Sequence, residues 1–554
     1  MEVRLQIERL IHFALQKELI EHEDVHFVRN TLFDILSISE PLKSQESSSE
    51  RLDNAEEILE HILDYACAQN IISNTTTERE YLDSKLMGVF ISKPSEIARK
   101  FAQIAHNHSI QHATSFFYHL SKASNYIRTN RILRNKYWQY HGEFGDLEIT
   151  INLSKPEKDP KDIAKARMHP QSSSYPLCAL CVENVGFAGS FTFAARQNHR
   201  VIPLLLSPTA ETNNHKNTHN DVIEGNHDRD DKESRLYYFQ YSPYEYYTEH
   251  CIVIDATHRV MEINRRSIAL LFSFIDQFPH YFIGSNAELP IVGGSILSHN
   301  HFQGGKKSFP IDRSRVDWNL LYTAFADVKI CTVRWYLSTI RLTSRNSQNL
   351  IALSAFILDQ WRGYSDPSVD IVAHTFTANN EPIIHNTITP ILRLNELGEF
   401  QLDLILRNNR TSAEHPDGIF HPHTEQHHIK KENIGLIEAI GLAILPGRLQ
   451  SELALIASIL TSTAPFHRLD ISENSPLYKH LDWIEDLIAK YGQIEGSEDG
   501  ERVNEILRNE VGRKFSQVLM DAAVFKWNQS GRSAFRAFLQ SLHFQFIDDE
   551  NQFT

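Results

Sequence analysis

Apolar residues near the start of the chain recur at helical spacing. Leu5, Leu10, Ile11, Ala14 and Leu15 share one face, as do Val25, Val28, Leu32 and Leu36. A polar stretch over 42–53 separates these from a helix predicted over 55–67. Pro94-Ser95-Glu96 and Ser109 carry the start signals of two more, the second running towards Ile127. The period then changes. Leu147, Ile149, Ile151 and Leu153 alternate with polar partners, the mark of a half-buried strand. Further strands are expected over 201–206, 251–254 and 281–283, with a helix over 262–278. Two runs, 387–394 and 400–407, flank Asn395-Glu396-Leu397-Gly398-Glu399 and read as a hairpin. An apolar helix is expected over 431–445, stopped by Pro446-Gly447. From 451 onward helical patterns return, clearest over 503–527 and 533–544. The stretch 207–235 breaks the order: rich in Asn, Asp, His and Glu, it has almost nothing to bury.

These boundaries predict an α+β chain in four parts: a helical region over 1–138, two sheet-bearing lobes over 139–310 and 311–450, and a helical region over 451–554. With 554 residues the chain can bury a large core. Its net charge of −15 argues against general nucleic-acid or anionic-membrane binding. No apolar run is long enough to span a bilayer, so a cytoplasmic location is expected. The five cysteines are too few for a disulfide framework. Cys67, Cys251 and Cys331 read as buried thiols, whereas Cys178 and Cys181 form a C-x-x-C suited to metal ligation or redox chemistry.

The densest chemistry lies in Val292-Gly293-Gly294-Ser295-Ile296-Leu297-Ser298-His299-Asn300-His301-Phe302-Gln303-Gly304-Gly305. On a strand, His299, His301 and Gln303 would share a face. A neutral imidazole attacks phosphorus well, and a neighbouring carbonyl can fix its tautomer by accepting the other N–H. An amide two residues on can donate to a phosphate oxygen as charge shifts. The flanking glycines allow close approach of a ligand. Alone, H-x-H is equally a polar strand or a chance metal pair.

This run resembles the H-x-H-x-Q signature of the nucleotidyltransferase branch of the histidine-triad superfamily. Taken from Phe278-Pro279-His280 through Gly305, it is similar to bacterial class II galactose-1-phosphate uridylyltransferases. Ala195-Arg196-Gln197-Asn198-His199-Arg200, Phe239-Gln240-Tyr241-Ser242-Pro243-Tyr244, His421-Pro422-His423 and 427–435 agree with that resemblance, which extends to about Arg448. It implies an antiparallel histidine-triad-type sheet core, duplicated, and exchange of a uridylyl group between UDP-glucose and galactose 1-phosphate. His301 would be the nucleophile, Gln303 would bond the transferring phosphate, and His299 would complete the catalytic set. By the pattern of the class I relatives, Cys178, Cys181, His258 and His299 would bind Zn²⁺; packing and hydrogen bonds without a metal are the alternative. Arg196, Gln197, Asn198 and Arg200 fall where relatives bind uridine and ribose, Asn286 and Ser295 where phosphates would lie. Arg407, Arg410, Lys431 and Glu438 are candidates for the hexose-phosphate side, and His421 with His423 repeats the H-x-H spacing. The expected partners are the two substrates and a second copy of the chain in a homodimer, with no organic cofactor. The sequence departs from the family pattern at 190–194, at Lys306-Lys307 and at Asn300. Another nucleotidyl transfer, such as dinucleoside-polyphosphate phosphorolysis, and a UDP-hexose sensor without turnover are the rival readings.

Overall fold

A computed structural model describes residues 2–40, 50–154, 175–190, 193–208, 234–294, 296–377, 379–492, 494 and 500–547. The helices Val3–Gln16, Val25–Ile35, Glu56–Ala68 and Thr76–Gly88 close on a small core of their own, with Ile7, Leu10, Leu32, Ile62 and Leu86 buried. The next two, Pro94–Asn107 and Ile110–Ala123, bury Phe101 and Phe117 against the main sheet instead, Phe117 lying beside Phe239 and Tyr241.

Sixteen strands follow among the described residues: β1 (Lys136–Gly142), β2 (Gly145–Asn152), β3 (Ile202–Leu206), β4 (Arg235–Tyr241), β5 (Cys251–Asp255), β6 (Phe282–Gly284), β7 (His301–Gly305), β8 (Val316–Leu321), β9 (Lys329–Val333), β10 (Thr339–Ser344), β11 (His374–Phe376), β12 (Pro382–Ile384), β13 (Asn386–Leu394), β14 (Phe400–Asn408), β15 (Leu442–Pro446) and β16 (Gln545–Ile547). Eleven form one sheet in the order β16-β8-β9-β10-β14-β13-β6-β7-β5-β4-β3.

That order contains a repeat. In the first half three antiparallel strands (β3, β4, β5) are followed by the helix Arg265–Gln277 and a hairpin (β6, β7) whose second strand pairs with β5. The second half does the same: β8, β9, β10, the helix Ser347–Gly363, then β13 and β14, with β14 against β10. The halves meet where β6 pairs antiparallel with β13, Ile283 opposite Leu392. The expected duplication is therefore visible strand for strand.

Alternation along the strands gives the sheet two unlike faces. One buries Phe239, Val253, Phe302, Leu392 and Leu404 beneath the two crossover helices. The Asn264 side chain accepts from Ser267 N at 2.9 Å and starts the first of these helices. In the second half, the other face buries Ile391 and Ile405 under a small sheet of β1, β2 and β15 and the C-terminal helices. In the first half the same face carries His301 and Gln303 with the half-buried Ile252 and Tyr238.

One expected element is corrected. The run 431–445 is not a single helix: it holds a turn of helix, Leu436–Ala439, and then β15, parallel to β2. Gly441, at φ +106°, breaks the path between them. The run Ile440-Gly441-Leu442-Ala443-Ile444-Leu445 is apolar on every side, which suits a buried strand as well as a buried helix.

Candidate active site

Strand β7 begins at His301, so His299 does not share its ladder as a continuous strand would require. The backbone before it turns, held by Asn300 N to Arg259 O at 2.6 Å and Asp255 N to Asn300 O at 3.0 Å. The result separates the two imidazoles by task. The His299 ring turns to the C-x-x-C, its Nδ1 3.2 Å from Cys178 Sγ and its Nε2 2.8 Å from Asp255 O. Its carbonyl accepts from His301 Nδ1 at 2.8 Å. That bond puts the proton of neutral His301 on Nδ1 and leaves Nε2 as a lone pair with no bond to any described residue. Burial holds the His301 pKa below the usual histidine value, and the nearby His299 ring adds to this.

Gln303, two residues along β7 and on the same face, is half-buried. Its Oε1 lies 3.2 Å from Nε2 of His250, a residue the sequence did not single out. Its NH₂ group donates to no described residue. The backbone of β7 is flanked by Ile252 of β5 opposite Gln303 and by Gly284 of β6 on the other side.

Cys178, Cys181, His258 and His299 form a compact group. One donor atom from each lies within 4.8 Å of all the others. Sγ–Sγ is 3.5 Å, Cys181 Sγ to His258 Nδ1 is 3.2 Å and Cys181 Sγ to His299 Nδ1 is 3.7 Å. Tetrahedral Zn²⁺ with bonds of about 2.0–2.3 Å gives edges of roughly 3.3–3.8 Å between its ligands. Burial opposes ionisation of Cys178, yet bonds from the His299 ring, Leu180 N and Cys181 pull its pKa below the usual thiol value, while burial and the neighbouring Cys178 push Cys181 up to about 11. Two soft sulfurs, two imidazoles and a backbone carbonyl orienting one ring together make a metal-type donor set. Asn184, another residue not read from the sequence, clamps the cysteine loop by donating to Cys178 O at 2.7 Å and Cys181 O at 3.0 Å.

The Arg-Gln-Asn-His-Arg run is tied to the backbone around it. Gln197 donates to Ser124 O at 2.5 Å, Asn198 to Ile91 O at 2.8 Å and Arg200 to Ala179 O, inside the C-x-x-C, at 2.7 Å. Arg196 bonds its neighbour Ala195 O at 2.9 Å, while its buried Nε has no partner among the described residues. Asn286, Arg407 and Glu438 do come together. Asn286 Oδ1 accepts from Leu436 N at 2.8 Å, Arg407 donates to Ile434 O at 2.8 Å, and an added Cβ on Gly435 would touch both Asn286 and Glu438. Leu436 in turn presses on Gly284, the partner of Gln303. Arg407 is fully buried and its pKa drops to about 10 by burial, partly offset by Glu438.

Lys431 is exposed; the lysine on Glu438 is Lys430, buried and 3.1 Å away. Ser295 lies outside the described residues, as do 191, 192 and 209–233. Arg410 pairs with Asp370 at 3.2 Å, and Lys307 with Glu148 at 2.7 Å. His421 and His423 do not join a metal-type group among the described residues: their rings bond Pro422 O at 3.2 Å and Ile419 O at 3.1 Å.

Two family models cover this chain in succession, galactose-1-phosphate uridyl transferase N-terminal domain over 20–260 and its C-terminal domain over 274–470. The chain belongs to that family. Its relatives include galactose-1-phosphate uridylyltransferase of Caldanaerobacter subterraneus, 48% identical over 98% of this chain and 99% of that protein. Those of Fusobacterium nucleatum (46%; 99% and 100%) and Bacillus subtilis (41%; 98% and 98%) match equally along their length. Among solved structures, yeast Ap4A phosphorylase Apa2 aligns with 65% of this chain and 89% of its own at 10% identity, with a TM-score of 0.29. That likeness is too slight to build on. Within the described residues, no helix is long and apolar enough to cross a membrane.

Proposed function

We propose that the chain is a uridylyltransferase that moves UMP from UDP-glucose to galactose 1-phosphate through a covalent intermediate on His301. The observation that carries this is the hydrogen bond from His301 Nδ1 to His299 O, which leaves Nε2 as an unprotonated nucleophile beside an amide with uncommitted N–H groups. Full-length similarity to proteins of that name supports the substrates.

In the first half-reaction the Nε2 lone pair attacks the α-phosphorus and an N–P bond forms. The P–O bond to glucose 1-phosphate breaks, and that phosphate leaves with the electron pair. In the second, a phosphate oxygen of galactose 1-phosphate attacks the same phosphorus and the N–P bond breaks. Throughout, the proton stays on Nδ1 and is donated to the His299 carbonyl, so the growing positive charge on the ring is met by a fixed dipole. Gln303 donates to the phosphate oxygens as charge gathers there. Asn286, Arg407 and Glu438 would form the hexose-phosphate side, and Arg196 with its unmet Nε the nucleotide side. Cys178, Cys181, His258 and His299 would hold a zinc ion, whose contribution when bound is to fix the backbone that positions His301.

Intact mass spectrometry after incubation with UDP-glucose alone tests the mechanism. The expected result is a gain of one uridylyl group, absent from His301→Gly. An unmodified wild-type chain, or a modified glycine variant, would overturn it. For the metal, elemental analysis of the purified protein should find about one zinc per chain. A metal-free chain with full activity would remove zinc from the reading.

A further inference from the structure

Gln303 can act as a phosphate donor only if its NH₂ end, and not its carbonyl, faces the substrate. An amide rotates about its last torsion between two orientations of nearly equal shape. Something must choose between them. Alternation on the paired strands places His250, just ahead of β5, on the face that carries Ile252 and Gln303. The side chain of His250 is buried and packs beside Tyr247, ring centroids 4.6 Å apart, and Tyr246, at 5.3 Å. Its backbone is pinned at both ends, N to Tyr247 O at 3.0 Å and O from Ser242 N at 2.8 Å.

Among the described residues the ring has one polar partner, Gln303 Oε1 at 3.2 Å, while Nδ1 is buried without a bond. This decides the tautomer. With the proton on Nδ1 a buried N–H would be orphaned; with the proton on Nε2 the orphan is an acceptor, the less costly of the two. Nε2–H therefore donates to Gln303 Oε1. Turning the amide over would set two N–H groups face to face.

We infer that His250 is a positioning residue for uridylyl transfer, holding the Gln303 amide with its NH₂ towards the phosphate. The inference rests on the proposed reading of His301 and Gln303 and adds to it the group that orients the donor.

Single-turnover uridylylation, followed by intact mass, tests it with a double-mutant cycle. Gln303→Ala should slow adduct formation about 100- to 1,000-fold, the scale of a lost oxyanion-type donor. His250→Phe keeps a buried ring but has no N–H, and should slow it about 10- to 100-fold with little change in the UDP-glucose concentration at half-saturation. His250→Met serves the same purpose if the phenyl ring prevents folding. His250→Gln, with an N–H near the same place, should recover most of the rate. In the Gln303→Ala background, loss of the His250 N–H should cost almost nothing more. Two outcomes overturn the inference alone: a wild-type rate in the variants without an N–H, or the same slowing with and without Gln303. Failure of the wild-type chain to form an adduct overturns the transfer reading and this inference with it.

Discussion

Burial strips His199 and His250 of water and lowers their pKa values to about 3 and about 4, the bond to Gln303 partly opposing this at His250. In the unfolded chain each would titrate near 6.5. Above that pH both states are neutral and the fold loses nothing. As the pH falls through 6.5 towards 4 the unfolded chain takes up protons that the fold refuses, so stability declines. At pH 5 each histidine should cost about 2 kcal/mol relative to pH 7. Denaturant unfolding at the two pH values should show that drop, and a His199→Leu variant should show a smaller one; equal stability at both would contradict the assignment. Residues were unevenly legible. Cys178 and Cys181 stand out because a C-x-x-C has few other uses, whereas His258 and His299 join them only through the resemblance to the class I relatives. His250 does not, since a single histidine ahead of an apolar strand gains meaning only from the register of β5 on β7. Gln197, Asn198 and Arg200 each donate to backbone, while Gln197 Oε1, Asn198 Oδ1 and Arg200 Nε stay buried without a partner among the described residues.

Elements follow the same logic. Strands with clean alternation, such as β2 and the β13–β14 hairpin, lie within a residue or two of where the pattern puts them. The run 431–445 misleads because burial on all sides erases the period that tells helix from strand. What separates the two is Gly441. Its φ of +106° is left-handed, and an added Cβ would sit 2.9 Å from both the Pro310 Cβ and the Trp335 ring. Gly441→Ala should therefore destabilise the protein by about 2–4 kcal/mol through backbone strain and overpacking together. A thermal-shift comparison would register it, and an unchanged midpoint would mean that β15 and the helix before it can move apart freely. The strand β7 is the other case where a local reading falls short. Period-two spacing suggested one shared face for His299, His301 and Gln303. The backbone turn at Asn300 instead gives one ring to the sulfurs and leaves the other on the face that carries Gln303.

At the scale of the whole molecule, the polar stretch 207–235 interrupts the chain without interrupting the sheet. Strands β3 and β4 end side by side, Leu206 opposite Arg235, so a short turn would close them. Replacing 209–233 with a two- to five-residue hairpin turn should leave uridylyl exchange close to that of the intact chain. A collapse in expression or activity would show that the stretch does more than connect. The repeat of the sheet has a different consequence. Both halves present a central strand to the same face, β7 in one and β14 in the other, yet β14 (Phe-Gln-Leu-Asp-Leu-Ile-Leu-Arg-Asn) has no histidine. On that face β14 carries Asp403 instead, clamped between Arg341, at 2.6 Å, and Arg393, at 2.7 Å. That carboxylate is fully buried between two cations that hold it ionised, which leaves it no freedom to attack anything. Active-site titration with labelled UDP-glucose should accordingly saturate at a single equivalent per polypeptide, and incoming and departing sugar phosphates must take turns in one berth.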